Sequence, residues 1–447
     1  MAAEPRRRAV EALVRVHREG GYSHLVVDTL LGREEDWKAE DRAFAVRLIY
    51  GVVERRLTLD YVLAAHSSLK LKKLHPLVLE ILRTGCYQLL YMDRVPPSAA
   101  VSEAVKLTRI LRQERSSGYV NAVLRAVDRG RAHLFDHLPA GVEGLSVRTS
   151  CPASLLTLWG RAYGTEMAAR LAESANEPPP AYIRVNTLRT TQEAFCREAQ
   201  AAGVRLEAAP SLPGCLRVEN PAMLKRLAKP LETCYYHQDV ASQLCCMALG
   251  ARPGERVADV CAAPGGKSFT AAQYMENRGE ILAGDLYPAK CREMDGRAAA
   301  LGVSILRAAA RDAAAPCPEA LHRRFDRVVC DVPCSGLGVI RRKPEIRYKP
   351  PESFAGLPQT QYAILREAAK MVREGGVLQY STCTLNPAEN EKVAARFLAE
   401  HPAFSPRRLP LDAALWPGRE PSHELTLFPP VHGSDGFYIA GFARGPG

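Results

Sequence analysis

The chain has no run of about 18 apolar residues, the length that a helix needs to cross a bilayer, so a helical membrane span is not expected. No C-x-x-C pair occurs among its 13 cysteines, and the number is odd, so neither a zinc site nor a disulfide framework is indicated. Reduced thiols in a cytoplasm are the expectation. Most of these cysteines should behave as small buried hydrophobes. The opening stretch, MAAEPRRRAVEALVRVHREGG, lacks the continuous apolar core and small-residue cleavage site of a signal peptide and reads as an amphipathic helix. There is no internal repeat and no low-complexity segment. Neither G-x-G-x-x-G nor G-x-x-x-x-G-K-[ST] is present, which disfavours a dinucleotide-binding fingerprint and a P-loop.

What is there is a long, basic, globular sequence. Its 447 residues suffice for two or three domains, and 47% hydrophobic with 24% charged residues is an ordinary globular balance. The net charge is +11. Residues 1–140 hold 23 Lys/Arg against 17 Asp/Glu, a net +6. An excess of positive charge points to a polyanionic partner, nucleic acid being the commonest.

Residues 1–140 space apolar residues at helical intervals, as in RRRAVEALVRVHREG, EDRAFAVRLIYGVVERRLTLDYVLAAH, HPLVLEILRTGCYQLLYMD and SAAVSEAVKLTRILR. Gly20-Gly21, Pro96-Pro97 and Ser116-Ser117-Gly118 punctuate them. An all-helical domain is expected, with residues 141–150 as a linker. Residues 151–232 open with a helix and continue with the Pro-rich break EPPPAYIRVNTL, a further helix and short strands, a small α+β insert. From residue 233 to 447 strands and helices alternate. RVADVCAA, EILAGDL, SILRAAA, DRVVCDVP and GVLQYST are the strand candidates, and their alternation with helical stretches predicts a parallel, doubly wound sheet. The tail ELTLFPPVHGSDGFYIAGFARG predicts a terminal antiparallel pair.

The chemistry gathers where these strands end. DVCAAPGGKS leads from the first strand into a helix, and its small residues let backbone approach a ligand while the helix N-terminus offers unbonded N–H groups. Asp285 ends the second strand, 20 residues after Gly265, an offset that suits a carboxylate holding ribose hydroxyls. Asp312 follows the third strand, where it can meet an adenine amino group, and Asp331 ends the fourth. Three carboxylates at successive strand ends mark one crevice for a nucleoside-containing ligand. Cys334 follows the fourth strand and Cys383 the fifth, so two thiols can reach one substrate. The basic run IRRKPEIRYK, residues 340–349, lies just beyond Cys334 and suits phosphate contact.

DVCAAPGGKS, DVPCSGLGVIRRKPEIRY and YSTCTLNPAEN resemble the signatures of the S-adenosylmethionine-dependent RNA cytosine-C5 methyltransferases, and within them the bacterial Sun/Fmu type. YYHQDVASQLC is similar to the segment that leads into that family's catalytic domain. The resemblance implies a multidomain α and α/β protein: a NusB-like helical RNA-binding domain, a small α+β RNA-binding domain and a Rossmann-like methyltransferase domain. It implies S-adenosyl-L-methionine as cofactor, held by Cys261, Ala262, Ala263, Pro264, Gly265, Gly266, Lys267, Asp285, Asp312 and Asp331. It makes Cys383 the nucleophile and Cys334 the residue that helps to release the product, with no metal. Two positions depart from the family: Arg311 stands where Gly is usual before Asp312, and Val332 where Ala is common. The implied substrate is a cytosine of 16S ribosomal RNA, naked or in a partly assembled small subunit, with transfer RNA, large-subunit RNA or a non-catalytic assembly role as alternatives. A monomer is expected, with no membrane partner.

The thiols follow from the reaction. Carbon 5 of cytosine is a poor nucleophile until a thiolate adds at carbon 6, and the added sulfur must later be expelled. A thiol after Pro, rather than an aromatic ring that stacks a base, suits carbon methylation.

Overall fold

The computed structural model describes residues 3–18, 20–31, 37–209 and 211–446. The chain forms two compact units, one of residues 1–177 with 340–349, the other of residues 178–339 with 350–447. Among the described residues no helix is long and apolar enough to cross a membrane.

The first unit is helical. Its first seven α-helices are Ala3–Arg18, Ser23–Leu31, Ala39–Glu54, Arg56–His66, Pro76–Tyr91, Pro97–Ile110 and Ser117–Arg129. Apolar residues at helical spacing form the core: Ala9, Val10, Leu13 and Val16 from the first meet Leu48, Ile49 and Val52 from the third and Ile81 and Leu82 from the fifth. Pro76 and Pro97 sit in first turns, where a missing N–H costs nothing. Gly51 faces the Tyr87 ring so closely that a Cβ would lie 2.0 Å from it.

Two features differ from the sequence reading. Residues 141–150, expected as a linker, form the helix Gly141–Thr149, which buries Gly144, Ser146 and Thr149. Its small residues carry little apolar periodicity and so gave no helical signal. This helix and the next two, Ala153–Tyr163 and Thr165–Ser174, belong to the first unit. The second difference is the basic run. Residues 340–349 are part of the helical unit, and none of the basic side chains of this run is fully exposed. Arg341 and Arg347 are buried, and Tyr348 packs against the helical core. The Arg347 guanidinium, on a residue 2% exposed, donates to the Ala175 carbonyl (2.9 Å) and to Asn176 Oδ1 (3.0 Å). The Arg56 guanidinium lies 3.8 Å above the Tyr348 ring, a cation–π contact. Glu345 accepts from Ser23 N (3.2 Å) and Ser23 Oγ (2.6 Å).

The second unit holds two sheets. In the smaller, strands β1 (Ala181–Val185), β2 (Leu206–Ala208), β3 (Cys215–Val218) and β4 (Tyr235–His237) lie in the order β2-β3-β1-β4. The helix Gln192–Ala201, capped by the Thr191 side chain, buries Phe195 and Ala199 in the core of this layer. The buried Arg184 of β1 donates to Gln273 Oε1 (3.0 Å) and to the Pro213 carbonyl (3.0 Å). It ties the small sheet to the helix Gly266–Tyr274 of the larger layer.

The larger sheet contains β5 (Arg256–Asp259), β6 (Glu280–Asp285), β7 (Leu306–Ala310), β8 (Phe325–Asp331), β9 (Val372–Thr382), β10 (Phe404–Pro406), β11 (Glu424–Leu427) and β12 (Phe437–Arg444). The order is β10-β12-β9-β8-β5-β6-β7, with β11 beside β12. Strands β9, β8, β5, β6 and β7 are parallel, as the strand–helix alternation predicts, and β12 runs antiparallel to β9. Order reverses at β5, between β8 and β6. That reversal opens a crevice beyond the carboxyl ends of the strands, where such sheets bind ligands.

Removing the Arg347 guanidinium would strand buried acceptors. Arg347→Ala is expected to destabilise the helical unit by about 2–4 kcal/mol. Differential scanning calorimetry should show its transition lowered by about 5–10 °C, and an unchanged transition would rule the anchoring role out.

Candidate active site

The crevice is lined first by the turn that follows β5. Ala262 N donates to the Gly284 carbonyl (2.7 Å) and Gly265 N to the Ala262 carbonyl (2.7 Å), folding Cys261–Gly265 tightly over the sheet end. The Ala263–Pro264 bond is cis. Gly265 has φ +101, and a Cβ there would sit 2.4 Å from the Phe269 ring and 2.7 Å from Met294 Cγ. Only glycine fits that conformation and that space. Gly266 then begins the helix Gly266–Tyr274, whose first N–H groups have no intrahelical acceptor.

The carboxylates take up distinct roles. Asp331, at the end of β8, receives Lys267 Nζ at 2.6 Å and Ser381 Oγ at 2.9 Å. Burial disfavours the Lys267 ammonium, but the Asp331 carboxylate outweighs that, so its pKa is held above the usual lysine value and it stays charged. Asp285 Oδ1 accepts from Tyr287 N (3.1 Å), and Asp312 Oδ1 accepts from Ala314 N (2.9 Å). Both are side-chain turns two residues long, which fix each carboxylate at its strand end. Arg311, the departure from the family pattern, turns its guanidinium to the Ala315 carbonyl (3.4 Å) and Met371 Sδ (3.8 Å).

Asp259, at the end of β5, was not singled out in the sequence. It is 1% exposed, and Ser268 Oγ donates to it at 2.7 Å. Burial pushes its carboxyl up to about 6, the Ser268 bond opposes this, and Asp331 adds to it.

The two thiols meet. Cys334 Sγ and Cys383 Sγ lie 3.3 Å apart, within hydrogen-bond reach for sulfur. The sequence placed both cysteines beyond neighbouring strands, and β8 and β9 are paired in parallel. The hydrogen bond to Cys383, then burial, push Cys334 well above an ordinary thiol. Cys261 lies in the same turn and burial pushes it up too, so it lines the crevice as a neutral thiol. None of the cysteines is in a disulfide. Of the residues read from the sequence, Cys261 through Lys267, Asp285, Asp312 and Asp331 all lie at the carboxyl ends of β5 to β8, and Cys334 and Cys383 just past β8 and β9.

Comparison with known proteins fits this arrangement. Residues 246–443 match the family described as 16S rRNA methyltransferase RsmB/F, residues 3–129 the NusB family, and residues 151–225 the RsmF/B-like ferredoxin-like domain. The chain is 34% identical to the probable ribosomal RNA small subunit methyltransferase B of Bacillus subtilis (strain 168), over 98% of both chains. It is 32% identical to the protein of the same name from Synechocystis sp., over 96% of this chain and 97% of that one. The solved structure of PH0851 has the same fold, with a TM-score of 0.79 at 24% identity over 98% of this chain and 99% of that one.

Fold, site and relatives define an RNA methyltransferase. The chain belongs to the RsmB/F family, with a NusB domain at its start.

Asp259 gives a test of this electrostatic picture. The folded chain binds its proton more tightly than the unfolded chain, so stability is lost as pH rises from about 4 to about 6 and stays lost above that. Asp259→Asn keeps an acceptor for Ser268. It is expected to stabilise the protein by about 1–3 kcal/mol near pH 7 and to change little near pH 4. Urea unfolding at the two pH values measures this; the same effect at both would contradict it.

Proposed function

We propose that the protein methylates carbon 5 of a cytosine in 16S ribosomal RNA through a transient bond between Cys383 and carbon 6. The pair of sulfurs 3.3 Å apart at the ends of two parallel strands carries this reading. Relatives of near-equal length named small subunit methyltransferases support the substrate.

The crevice suits S-adenosyl-L-methionine. The Cys261–Lys267 turn brings backbone close at Gly265 and Gly266, Asp285 stands where ribose hydroxyls would bind, and Asp312 where an adenine amino group would. S-adenosyl-L-methionine supplies an electrophilic methyl group. The protein makes carbon 5 able to accept it. The Cys383 thiolate adds to carbon 6, which places nucleophilic character at carbon 5. After methylation the carbon 5 proton leaves to a base and the sulfur–carbon 6 bond breaks, returning the electron pair to Cys383. Cys334 assists that release. Asp331 bonds the cytosine edge in this reading, and its bonds to Lys267 and Ser381 support that role. The helical domain (1–140) and the small α+β domain (151–232) hold the RNA, and residues 233–447 carry out catalysis. The target base must be unpaired or flipped to reach the crevice.

Bisulfite sequencing of total RNA from cells with and without the gene tests substrate and reaction together. Loss of one protected cytosine in small-subunit RNA is expected. Loss in transfer RNA would replace the substrate, and no loss anywhere would favour a non-catalytic assembly role.

Purified variants test the roles. Cys383→Ser is expected to lose activity by at least about 10³-fold. Cys334→Ala should leave RNA covalently attached, visible as a slow band on a denaturing gel, and turnover without that band would defeat the assignment. Asp285→Ala should weaken S-adenosyl-L-methionine binding about 10–100-fold by calorimetry, and an unchanged affinity would remove the ribose role.

A further inference from the structure

Glu389 belongs to the stretch YSTCTLNPAENE but has no role in the reading above. Its side chain is fully buried, at 0% exposure. A buried carboxylate is costly unless every oxygen is bonded. Glu389 meets that condition with four donors. Oε2 accepts from Ser335 N (2.8 Å) and Gln361 Nε2 (2.9 Å). Oε1 accepts from Ser335 Oγ (2.5 Å) and Asn386 Nδ2 (2.8 Å).

These donors connect to the loops of both thiols. Ser335 follows Cys334, and Gln361 Nε2 also donates to the carbonyl of Pro333, which precedes it (3.0 Å). On the other side, Ser335 Oγ pairs with Thr384 Oγ1 (2.6 Å), and Thr384 follows Cys383. Thr384 Oγ1 further accepts from Leu337 N (3.3 Å), and Gly338 N donates to the Cys383 carbonyl (3.1 Å). The loops after β8 and β9 are therefore cross-linked through one carboxylate.

We propose that Glu389 is a positioning residue for methyl transfer: its carboxylate locks the two cysteine loops together so that the Cys334 S–H points at the Cys383 sulfur. This rests on the reading of Cys383 as nucleophile. The lock settles which sulfur carries the proton. A thiolate accepting an S–H bond is favoured over one that has no donor. Cys334 is held protonated by that bond, by burial and by the nearby negative charges, Glu389 among them. Tyr380 on β9 interacts with Cys334 as well, and with Cys330 and Asp331 on β8, the last neutralised by Lys267. Glu389 thus acts on Cys334 twice, through the loop that it holds and through its charge.

The test is iodoacetamide labelling of the full-length protein across a pH series, with the labelled cysteine identified by peptide mass spectrometry. The wild type should label at Cys383 in preference to Cys334. Glu389→Gln should lower that preference about 10-fold or more and reduce kcat about 10²-fold, while the KM for RNA stays within about 3-fold. Glu389→Asp, which keeps the charge, should recover part of the preference. Ser335→Ala removes one donor and leaves the carboxylate, so it reports on the same lock if Glu389→Gln does not fold; a smaller shift in the same direction is expected. An unaltered labelling preference in the folded variants overturns the proposal, even if their stability falls. Methylation surviving in Cys383→Ser would instead overturn the nucleophile reading, so the two failures are told apart.

Discussion

The parallel pairing of β8 with β9 is the constraint on which the site depends. Val328 faces Leu378, Val329 faces Gln379, Cys330 faces Tyr380 and Asp331 faces Ser381. A slip of one residue would turn every side chain to the opposite face. Asp331 would then lose Ser381, and the two sulfurs would no longer emerge side by side. The register is held firmly because β9 lies between β8 and the antiparallel β12, and almost all of its second half is buried. Gln379 adds a cross-tie, donating to the Cys245 carbonyl at 2.8 Å.

On this frame the protein solves a problem of buried charge. Lys267 and Asp331 neutralise one another, Asp259 is held by Ser268, and Glu389 is surrounded by donors. Sulfur is treated in the opposite way. Cys245, Cys246, Cys261 and Cys330 are all pushed up by burial, which keeps them as neutral packing groups close to the crevice. The pair at the strand ends differs from these in that its two sulfurs face one another, 3.3 Å apart.

The parts legible in the sequence are those whose signal is local. A short apolar strand, a turn of small residues and a carboxylate at a fixed offset can be read without knowing the fold, and β5 to β9 and the residues at their ends emerged in this way. What was not legible depends on distant partners. Gly141–Thr149 has too few apolar residues to announce a helix and is specified by its neighbours. Tyr235–His237 reads as the approach to the catalytic part, yet it pairs with Ile183–Val185 in the small sheet. Glu389 carries no sign in YSTCTLNPAENE that it differs from Glu391, because the donors that surround it include Ser335 and Gln361, 54 and 28 residues away. The basic run hides its structural part for a related reason. Charge alone does not reveal that Arg347 ends between buried carbonyls.

That run has a consequence for how the molecule can be divided or inherited. The helical unit is completed by ten residues that the chain supplies only after most of the second unit has been laid down. A polypeptide ending at Glu177 would lack Arg347 and Tyr348, and its Ala175 carbonyl and Arg56 guanidinium would lose their buried partners. During synthesis, the helical part therefore waits on later sequence for its last pieces. The boundary between the units is crossed three times by one strand of peptide, so neither could be exchanged for a foreign counterpart by a single cut-and-join event.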